Sequence, residues 1–236
     1  MVKNQKTVLM FGASGAVGSA IAARFIAQSW RVVGVTRDHS GGAGHLTWDP
    51  LNSESSSPLG KLAEFGGFDA VCWAQGQNCN DSIYDFDVAL HSQVYEANVT
   101  YVLQSLSTLI ENNLLKKPAK LCVISSIWQN LGRQNKLSYG ISKAAIQGLV
   151  LSLANDLGVD GHLINAVLPG ALDTPMTHQN LTEAQLLDVV RSTQFGRLAS
   201  LDDVANTAYF LCSAENTGLT GQFVKVDLGY SDVRVI

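Results

Sequence analysis

Short apolar runs alternate with segments of helical periodicity along the chain, and this alternation limits the possible folds more than any other feature. Apolar spacing predicts helices at Ala16 to Phe25, Val88 to Ile110, Tyr139 to Leu157 and Leu201 to Cys212. The predicted strands are Thr7 to Phe11, Arg31 to Thr36, Phe68 to Ala74, Lys120 to Ser125, Leu163 to Leu168 and Phe223 to Asp227. Because strands that are apolar throughout are buried on both faces, the pattern predicts an α/β fold: a doubly wound, mainly parallel sheet with helices on both faces.

The composition indicates one folded domain spanning residues 1–236. Apolar residues make up 46% of the chain and charged residues only 15%, where about 25% charged is usual. Disordered chains are poor in apolar residues and rich in charge, so disorder is excluded. The formal net charge of −4 supplies no basic face for phosphates, so nucleic acid is not an expected partner.

The chain is expected to be cytoplasmic and not to bind a membrane. No uninterrupted apolar run reaches the roughly 18 residues of a membrane helix, and the polar stretch Met1 to Lys6 does not resemble a secretory leader. Cys72, Cys79, Cys122 and Cys212 have no zinc-ligand spacing. We therefore expect reduced core cysteines and no metal.

The segment Asp38 to Gly60 interrupts the alternation. Leu46 to Asp49 in its middle predicts a short strand, and only Asp38 to His45 connect it to the preceding strand. A helical crossover usually needs a dozen or more residues. We therefore expect a loop in place of this crossover helix.

Gly12, Gly15 and Gly18 lie between the first predicted strand and the first predicted helix. Glycine lets the backbone turn sharply and approach a pyrophosphate, while the helix N-terminus supplies free N–H groups and the positive end of the helix dipole. Small glycine loops also close tight strand–helix junctions that bind nothing. The position at the first βα junction favours a dinucleotide site.

Tyr139 and Lys143 are four residues apart in a predicted helix, so the phenol and the ammonium share one face. Ser126 lies just beyond a predicted strand end, 139 − 126 = 13 residues upstream. An ammonium about 4 Å from a phenol would favour the phenolate by about 4 kcal/mol at an effective dielectric constant of 20. The sequence therefore predicts that the pKa of Tyr139 falls from about 10 to near 7.

Together these motifs resemble the short-chain dehydrogenase/reductase family. Asn98 lies in the long predicted helix where the family keeps its fourth catalytic residue, and Pro169-Gly170 begins a stretch similar to its nicotinamide-side motif. Segments 196–205, 220–222 and 226–227 are similar to its C-terminal region. The resemblance extends over essentially the whole chain, is specific for the family and is only weakly specific for substrate. It implies a single-domain Rossmann-like fold and an NAD(P)-dependent oxidoreductase.

The resemblance also implies roles for individual residues. Tyr139 would pass a proton to a carbonyl oxygen as hydride arrives from nicotinamide, and Ser126 would hydrogen-bond the same oxygen. Lys143 would hold the nicotinamide ribose, and Asn98 would order a water relay behind it. The implied cofactor contacts are Gly12, Ser14, Gly15, Val17, Gly18, Thr36, Arg37, Asp49, Ala74, Gln75, Gly76, Tyr139, Lys143, Pro169, Gly170, Leu172 and Thr174.

Three departures mark a divergent member of such a family. Phe11 precedes the first glycine where the family commonly has Thr, and Ala16 stands at a position often held by glycine. Trp73-Ala74-Gln75-Gly76 replaces the common Asn-Asn-Ala-Gly. The last change leaves open how this loop supports the central sheet and lines the cofactor ribose.

The end of the second strand governs the choice between NAD and NADP. An acid there binds the ribose 2′-hydroxyl of NAD, whereas an arginine accommodates the 2′-phosphate of NADP. Thr36 occupies the usual place of the acid and Arg37 follows, so NADP(H) is favoured over NAD(H), although Asp38 could pair with Arg37. Asp49 is either an adenine-contacting acid, as in the family, or a plain turn residue.

The leading hypothesis is an NADP(H)-dependent oxidoreductase that interconverts a ketone and a secondary alcohol, similar to 3-oxoacyl-thioester reductases or other carbonyl reductases. One alternative is C=N reduction, as in dihydropteridine reductase relatives, against which Ser126 counts. The other is a non-catalytic NADP(H)-sensing module, against which the four retained catalytic residues count. Thr174 to Arg197 is expected to face the substrate, Trp128 could line its pocket, and His178 is interpreted as a solvated loop residue.

Helix Tyr139 to Leu157 carries only Lys143 and Asp156 as charged residues. A helix that is apolar nearly all round is buried on more than one side. Members of the family often assemble as dimers of dimers. We therefore expect a homo-oligomer, a tetramer or a dimer, with this helix and Val88 to Ile110 at the interface and Leu149 facing outward.

Overall fold

A single parallel sheet forms the centre of the protein. The computed structural model describes residues 5–37, 45–52, 58–174, 177 and 181–233. Within them the strands are β1 (Thr7–Phe11), β2 (Arg31–Thr36), β3 (His45–Thr47), β4 (Phe68–Trp73), β5 (Leu115–Ile124), β6 (Leu163–Pro169) and β7 (Phe223–Val226). They are ordered β3-β2-β1-β4-β5-β6-β7, and every neighbouring pair is parallel. The predicted doubly wound sheet is confirmed.

Helices cover both faces of this sheet. They are α1 (Ala16–Ala27), α2 (Leu59–Ala63), α3 (Val88–Tyr95), α4 (Tyr101–Glu111), α5 (Leu137–Gly158), α6 (Glu183–Arg191) and α7 (Leu201–Cys212). The sequence predicted the longer ones but not α2 or α6. The predicted strand at Leu46 is present as β3, whereas most of the predicted loop before it, residues 38–44, lies outside the described residues.

The predicted long helix Val88 to Ile110 is not a uniform α-helix. A π-helical turn, Glu96–Thr100, joins α3 to α4 and contains Asn98. Such turns insert one extra residue into the helical hydrogen-bond pattern and occur frequently at functional sites. Apolar spacing does not reveal them, because the helix continues on either side.

Alternate residues of each strand contribute to two separate cores. Leu9 and Phe11 of β1 pack on the face covered by α4 and α5, whereas Val8 and Met10 pack on the face covered by α1 and α7. This follows from the two-residue period of a strand in a sheet with both faces covered. Three of the free cysteines are buried as expected, but Cys79 is only partly buried, so the core prediction is wrong for it.

Helix α5 covers the sheet through Ile146, Leu149 and Val150. Leu149 is only 7% exposed, so the prediction that it faces outward is wrong. It lies three residues beyond Ile146 and therefore shares the inner face. Ile141 and Leu151 are the large apolar residues that face outward. Among the described residues, α5 is the one helix long and apolar enough to cross a membrane by length and composition, a test that the core helices of soluble proteins can also pass.

Candidate active site

The carboxyl ends of the central strands open into one cavity of about 960 Å³. In open parallel sheets, ligands bind where the strand order reverses, and here that point lies between β1 and β4. Small-molecule sites usually have volumes of roughly 300–1,000 Å³, so this cavity lies at the upper end of that range. The predicted cofactor contacts that line it are Gly12, Ser14, Gly15, Val17, Thr36, Arg37, Ala74, Gln75, Gly76, Tyr139, Pro169, Gly170, Leu172 and Thr174.

The junction between β1 and α1 needs glycine at two positions, because a side chain at either would overlap the backbone. Gly12 has a φ of +74°, and a Cβ there would lie 2.5 Å from the backbone nitrogen of Gln75. A Cβ on Gly18 would overlap the carbonyl oxygen of Gly12. Gly18 does not line the cavity. Its contribution is the close approach of α1 to the glycine loop, which brings the start of the helix to the site.

The start of α1 fits a pyrophosphate. The N-cap residue Gly15 makes no side-chain capping bond, and the first turn contains no acid. The unpaired N–H groups and the positive end of the helix dipole therefore favour an anion at this end of the cavity. On the facing loop, Gln75 Oε1 is buried without a hydrogen-bond partner in the described part of the chain. A ligand hydroxyl would satisfy it, so the residues present fit a dinucleotide.

Thr36 and Arg37 form the far end of the cavity, next to the glycine loop. Thr36 is buried and Arg37 is exposed. No described carboxylate forms an ion pair with Arg37, and Asp38, its suggested partner, lies outside the described residues. Asp49 does not line the cavity. Its Oδ1 accepts the N–H of Leu51 at 3.1 Å, which favours the interpretation as a turn residue.

Ser126 and Tyr139 meet at the inner end of the cavity. Ser126 follows β5 and caps a short 3₁₀ turn, Ile127–Gln129, by accepting the N–H of Trp128 at 3.3 Å. Tyr139 lies in the first turn of α5. The Ser126 hydroxyl lies near enough to the Tyr139 phenol to lower the pKa of that phenol, although burial raises the pKa by more. The structure thus brings together the strand-end serine and the helical tyrosine that the sequence paired.

The pKa of Tyr139 differs from the sequence-based expectation. Burial raises the pKa of Tyr139 above its ordinary value, and the nearby Ser126 hydroxyl and the charge of Arg133 lower it by less. Lys143 Nζ lies 5.7 Å from the centroid of the Tyr139 ring and donates to the carbonyl of Ile124 at 3.1 Å. The ammonium therefore lies against the ring face, and a Tyr139 pKa near 7 is wrong for this arrangement.

The surroundings of Lys143 change the pKa of its ammonium group. Burial lowers the pKa of Lys143 to about 8. Lys143 is not among the residues that line the cavity. A partner in the cavity, such as a ribose hydroxyl, would give the ammonium a hydrogen bond that Ile124 alone does not.

Asn98 connects the loop after β4 to helix α5. Its Oδ1 accepts the N–H of Gln77 at 2.8 Å, and its Nδ2 donates to the carbonyl of Gln77 at 2.9 Å and to Ser142 Oγ at 2.8 Å. Gly76 lies so close that a Cβ there would be 2.8 Å from Asn98 Oδ1. These contacts make Asn98 a positioning residue for the loop. Its place in a water relay stays a prediction.

The structure adds cavity residues that the sequence analysis missed. Trp128 lines the cavity as predicted, and it is joined by Tyr101, Arg133, Lys136, Gln185, Asp188 and Tyr230. The α6 residues had a signal, since Thr182 and Gln185 form a capping box that marks the start of a helix. Arg133 lies in an irregular loop, where no periodicity indicates its direction. His178 lies outside the described residues.

A family model described as enoyl-(acyl carrier protein) reductase matches residues 61–231. The chain belongs to the short-chain dehydrogenase/reductase family. It is 27% identical to the 3-oxoacyl-(acyl-carrier-protein) reductase FabG of Escherichia coli over 238 residues, which covers 95% of this chain and 96% of that protein. It is also 27% identical to the uncharacterized oxidoreductase YmfI of Bacillus subtilis over 239 residues, 95% of this chain and 98% of that one.

Solved structures show the same fold. The ligand-free aldohexose dehydrogenase of Thermoplasma acidophilum superimposes with a TM-score of 0.87 at 23% identity, over 98% of this chain and 96% of that one. The protein is thus an oxidoreductase of the short-chain dehydrogenase/reductase type, and the family implies a nicotinamide cofactor. The cavity between the glycine loop and Tyr139 is its candidate active site.

Proposed function

We propose that this enzyme uses NADP(H) to interconvert a small ketone and the corresponding secondary alcohol. The observation that carries the proposal is one cavity with the uncapped start of α1 at one end and Ser126 and Tyr139 together at the other. A dinucleotide held at the first end would present its nicotinamide near the second. The FabG relatives are named for reduction of such a carbonyl group.

The site residues suit proton transfer to a carbonyl. When bound, the nicotinamide supplies or accepts the hydride. Burial raises the pKa of Tyr139, so the phenol is protonated at neutral pH and can donate to the carbonyl oxygen during reduction. Ser126 would hydrogen-bond the same oxygen and stabilise its developing negative charge. Lys143 would hold a ribose hydroxyl against the Tyr139 ring, and Asn98 would keep the loop after β4 in place.

Arg37 supports the choice of NADP(H). It is exposed at the end of β2 and lines the cavity, with no described carboxylate in ion-pair contact. A guanidinium in this position can form charge-assisted hydrogen bonds to a 2′-phosphate. The neighbouring Thr36 is uncharged and so adds no repulsion toward that phosphate.

We further propose a cytoplasmic homo-oligomer whose interface contains α4 and α5. Leu103 and Ile110 on α4, and Ile141 and Leu151 on α5, are large apolar side chains exposed to solvent in a single chain. Burial of such side chains in an interface would stabilise the assembly by about 25 cal/mol per Å² of apolar surface removed from water. A two-fold copy of the helix pair would cover them.

The test is NADPH oxidation with a panel of ketones, including a 3-oxoacyl thioester, a 3-oxo acid and its ester. The wild-type enzyme should turn over at least one of them, and Tyr139→Phe should lose about 10²–10⁴-fold in kcat while it binds NADPH with similar affinity. Near-normal turnover by a folded Tyr139→Phe variant would contradict the assigned mechanism. Tight NADPH binding without turnover of any ketone would favour a cofactor-sensing module.

A further inference from the structure

Two cations line the substrate side of the cavity, beyond Tyr139. They are Arg133, in the loop between β5 and α5, and Lys136, the residue before α5 begins. Neither forms an ion pair with a residue that the structure describes. Among the described lining residues the only carboxylate is that of Asp188, which is exposed on α6. Among the described lining residues, the cations at this end of the cavity therefore outnumber the carboxylates.

Lys136 is buried with neutral partners. It is only 5% exposed, and its Nζ donates to Asn78 Oδ1 at 2.8 Å and to the carbonyl of Cys79 at 3.0 Å. An ammonium has three N–H donors, so one remains for a ligand. Burial lowers the pKa of Lys136, and the charge of Asp81 opposes this shift. Asp81 nevertheless accepts from the backbone and hydroxyl of Ser138 and forms no ion pair with Lys136. A buried ammonium without an ion pair is costly, and an anionic ligand at the remaining N–H of Lys136 would lower that cost.

Arg133 faces the same space from the loop. Its guanidinium lies over the Trp128 ring, 5.3 Å from the centroid, a cation–π contact between two residues that line the cavity. Its positive charge also lowers the pKa of Tyr139, although burial raises that pKa by more. Arg133 and Tyr139 also line the same cavity, so a ligand there can contact both side chains.

We propose that Arg133 and Lys136 bind a small anionic group of the substrate, so the reacting ketone is an oxo acid or a related oxo anion. This inference rests on the proposed carbonyl reduction at the same site. Lys136 Nζ lies 5.8 Å from the centroid of the Tyr139 ring, so the anion is placed a few bonds from the carbonyl that Tyr139 protonates. Carboxylates of 2-oxo and 3-oxo acids meet this spacing. A 3-oxoacyl thioester has no charge there.

The first test compares acetoacetate with its ethyl ester, which has the same ketone without the charge. For the wild-type enzyme, kcat/KM should be about ten- to a hundredfold higher for the acid, as expected for one charge-assisted contact. Arg133→Gln and Lys136→Gln should each reduce this acid-to-ester ratio by about tenfold. The ratio cancels any effect of the substitutions on Tyr139, because both substrates need the same proton. Lys117→Gln, at the opposite end of β5, is the control and should leave the ratio unchanged.

A parallel pair, dihydroxyacetone phosphate and dihydroxyacetone, distinguishes a phosphate from a carboxylate as the preferred anion. A second readout needs no turnover. Calorimetry on the enzyme saturated with NADP⁺ should show malonate binding that Arg133→Gln weakens by tenfold or more and Lys117→Gln does not.

The outcomes separate the two proposals. Malonate binding that depends on Arg133, without turnover of any ketone, would retain the anion site and reject the proposed reaction. Turnover with equal kcat/KM for the charged and neutral member of each pair, and no malonate binding, would retain the reaction and overturn the anion site. Circular dichroism confirms that each variant is folded, and Arg133, the less buried of the two cations, supplies the variant less expected to disturb folding.

Discussion

The ring of Phe11 stacks on the ring of Trp73, with centroids 5.8 Å apart and planes 2° from parallel. The two residues are cross-strand neighbours in β1 and β4. Tyr101 contacts Phe11 edge-on at 5.7 Å, and Trp73 Nε1 donates to Ser105 at 2.8 Å. Phe11 and Trp73 are both departures from the common family pattern, so one departure packs against the other. The loop after β4 is therefore supported by an aromatic core.

A double-mutant cycle should detect this pair. Phe11→Leu and Trp73→Leu should each lower the free energy of unfolding, and the double variant should lose less than their sum by about 0.5–1.5 kcal/mol, the usual value of an aromatic contact beyond its area. The measurement is denaturant unfolding of all variants. Phe25→Leu is the control partner, since Phe25 packs in the core on the other face and should add to Trp73→Leu without coupling. A coupling energy of zero would show that the stacked rings contribute to stability only through their buried area.

Arg37→Gln should weaken NADPH binding about ten- to a hundredfold and leave NADH binding almost unchanged, because only NADPH carries the 2′-phosphate. Calorimetry with each cofactor measures the two affinities. Arg31→Gln, at the other end of β2, should alter neither. Equal affinity of the wild-type enzyme for the two cofactors, or a preference for NADH, would overturn the assignment.

Lys143→Met should raise the stability of the cofactor-free enzyme at pH 7. Burial lowers the pKa of Lys143 from 10.5 to about 8 in the folded state. Between these values the unfolded chain binds more protons, so wild-type stability rises with pH across that window and is lowest below pH 8. At 1.36 kcal/mol per pH unit, the buried charge costs roughly 3 kcal/mol at pH 7, part of which the lost hydrogen bond to Ile124 offsets.

Thermal unfolding at pH 7 and near pH 10.5 measures this difference. The advantage of Lys143→Met should be largest at pH 7 and should shrink toward pH 10.5. Lys61→Met, on the surface of α2, should change little at either pH. A Lys143→Met variant that is less stable than the wild-type enzyme at pH 7 would show that the ammonium is satisfied in the folded state.

Leu151→Glu should dissociate the proposed oligomer. Leu151 is 51% exposed on the outer face of α5, so a carboxylate there would be buried without a partner in the interface. Light scattering should give a dimer or tetramer mass for the wild-type protein and a smaller mass for the variant. Val159→Glu, at an 87% exposed position just beyond α5, should keep the wild-type mass. A monomeric mass for the wild-type protein at micromolar concentration would rule out the assembly.

The sequence alone was sufficient for the sheet, for most of the helices and for most of the expected residues that line the cavity. Strand and helix periods are local properties, and the glycine loop after β1 is a local signal as well. Ser126 and Tyr139 could be paired because Ser126 follows a strand and Tyr139 begins a helix, and both elements were predictable. Most of the expected cofactor contacts line the cavity. Most of these lie at or just after the ends of predicted strands, and the order of strands and helices along the chain was predictable.

Tertiary packing decided the rest, because burial and distance through space depend on segments that are far apart in the chain. The sequence of α5 did not show which leucine faces the sheet, because the helix is apolar on several sides. Only the structure shows that Leu149 is buried against the sheet and that Leu151 faces solvent. The i, i+4 spacing of Tyr139 and Lys143 placed them on one face, but burial, not the ammonium, dominates the pKa of the phenol. Only the structure shows that the loop carrying Arg133 lies against the cavity, which makes Arg133 a candidate for substrate binding.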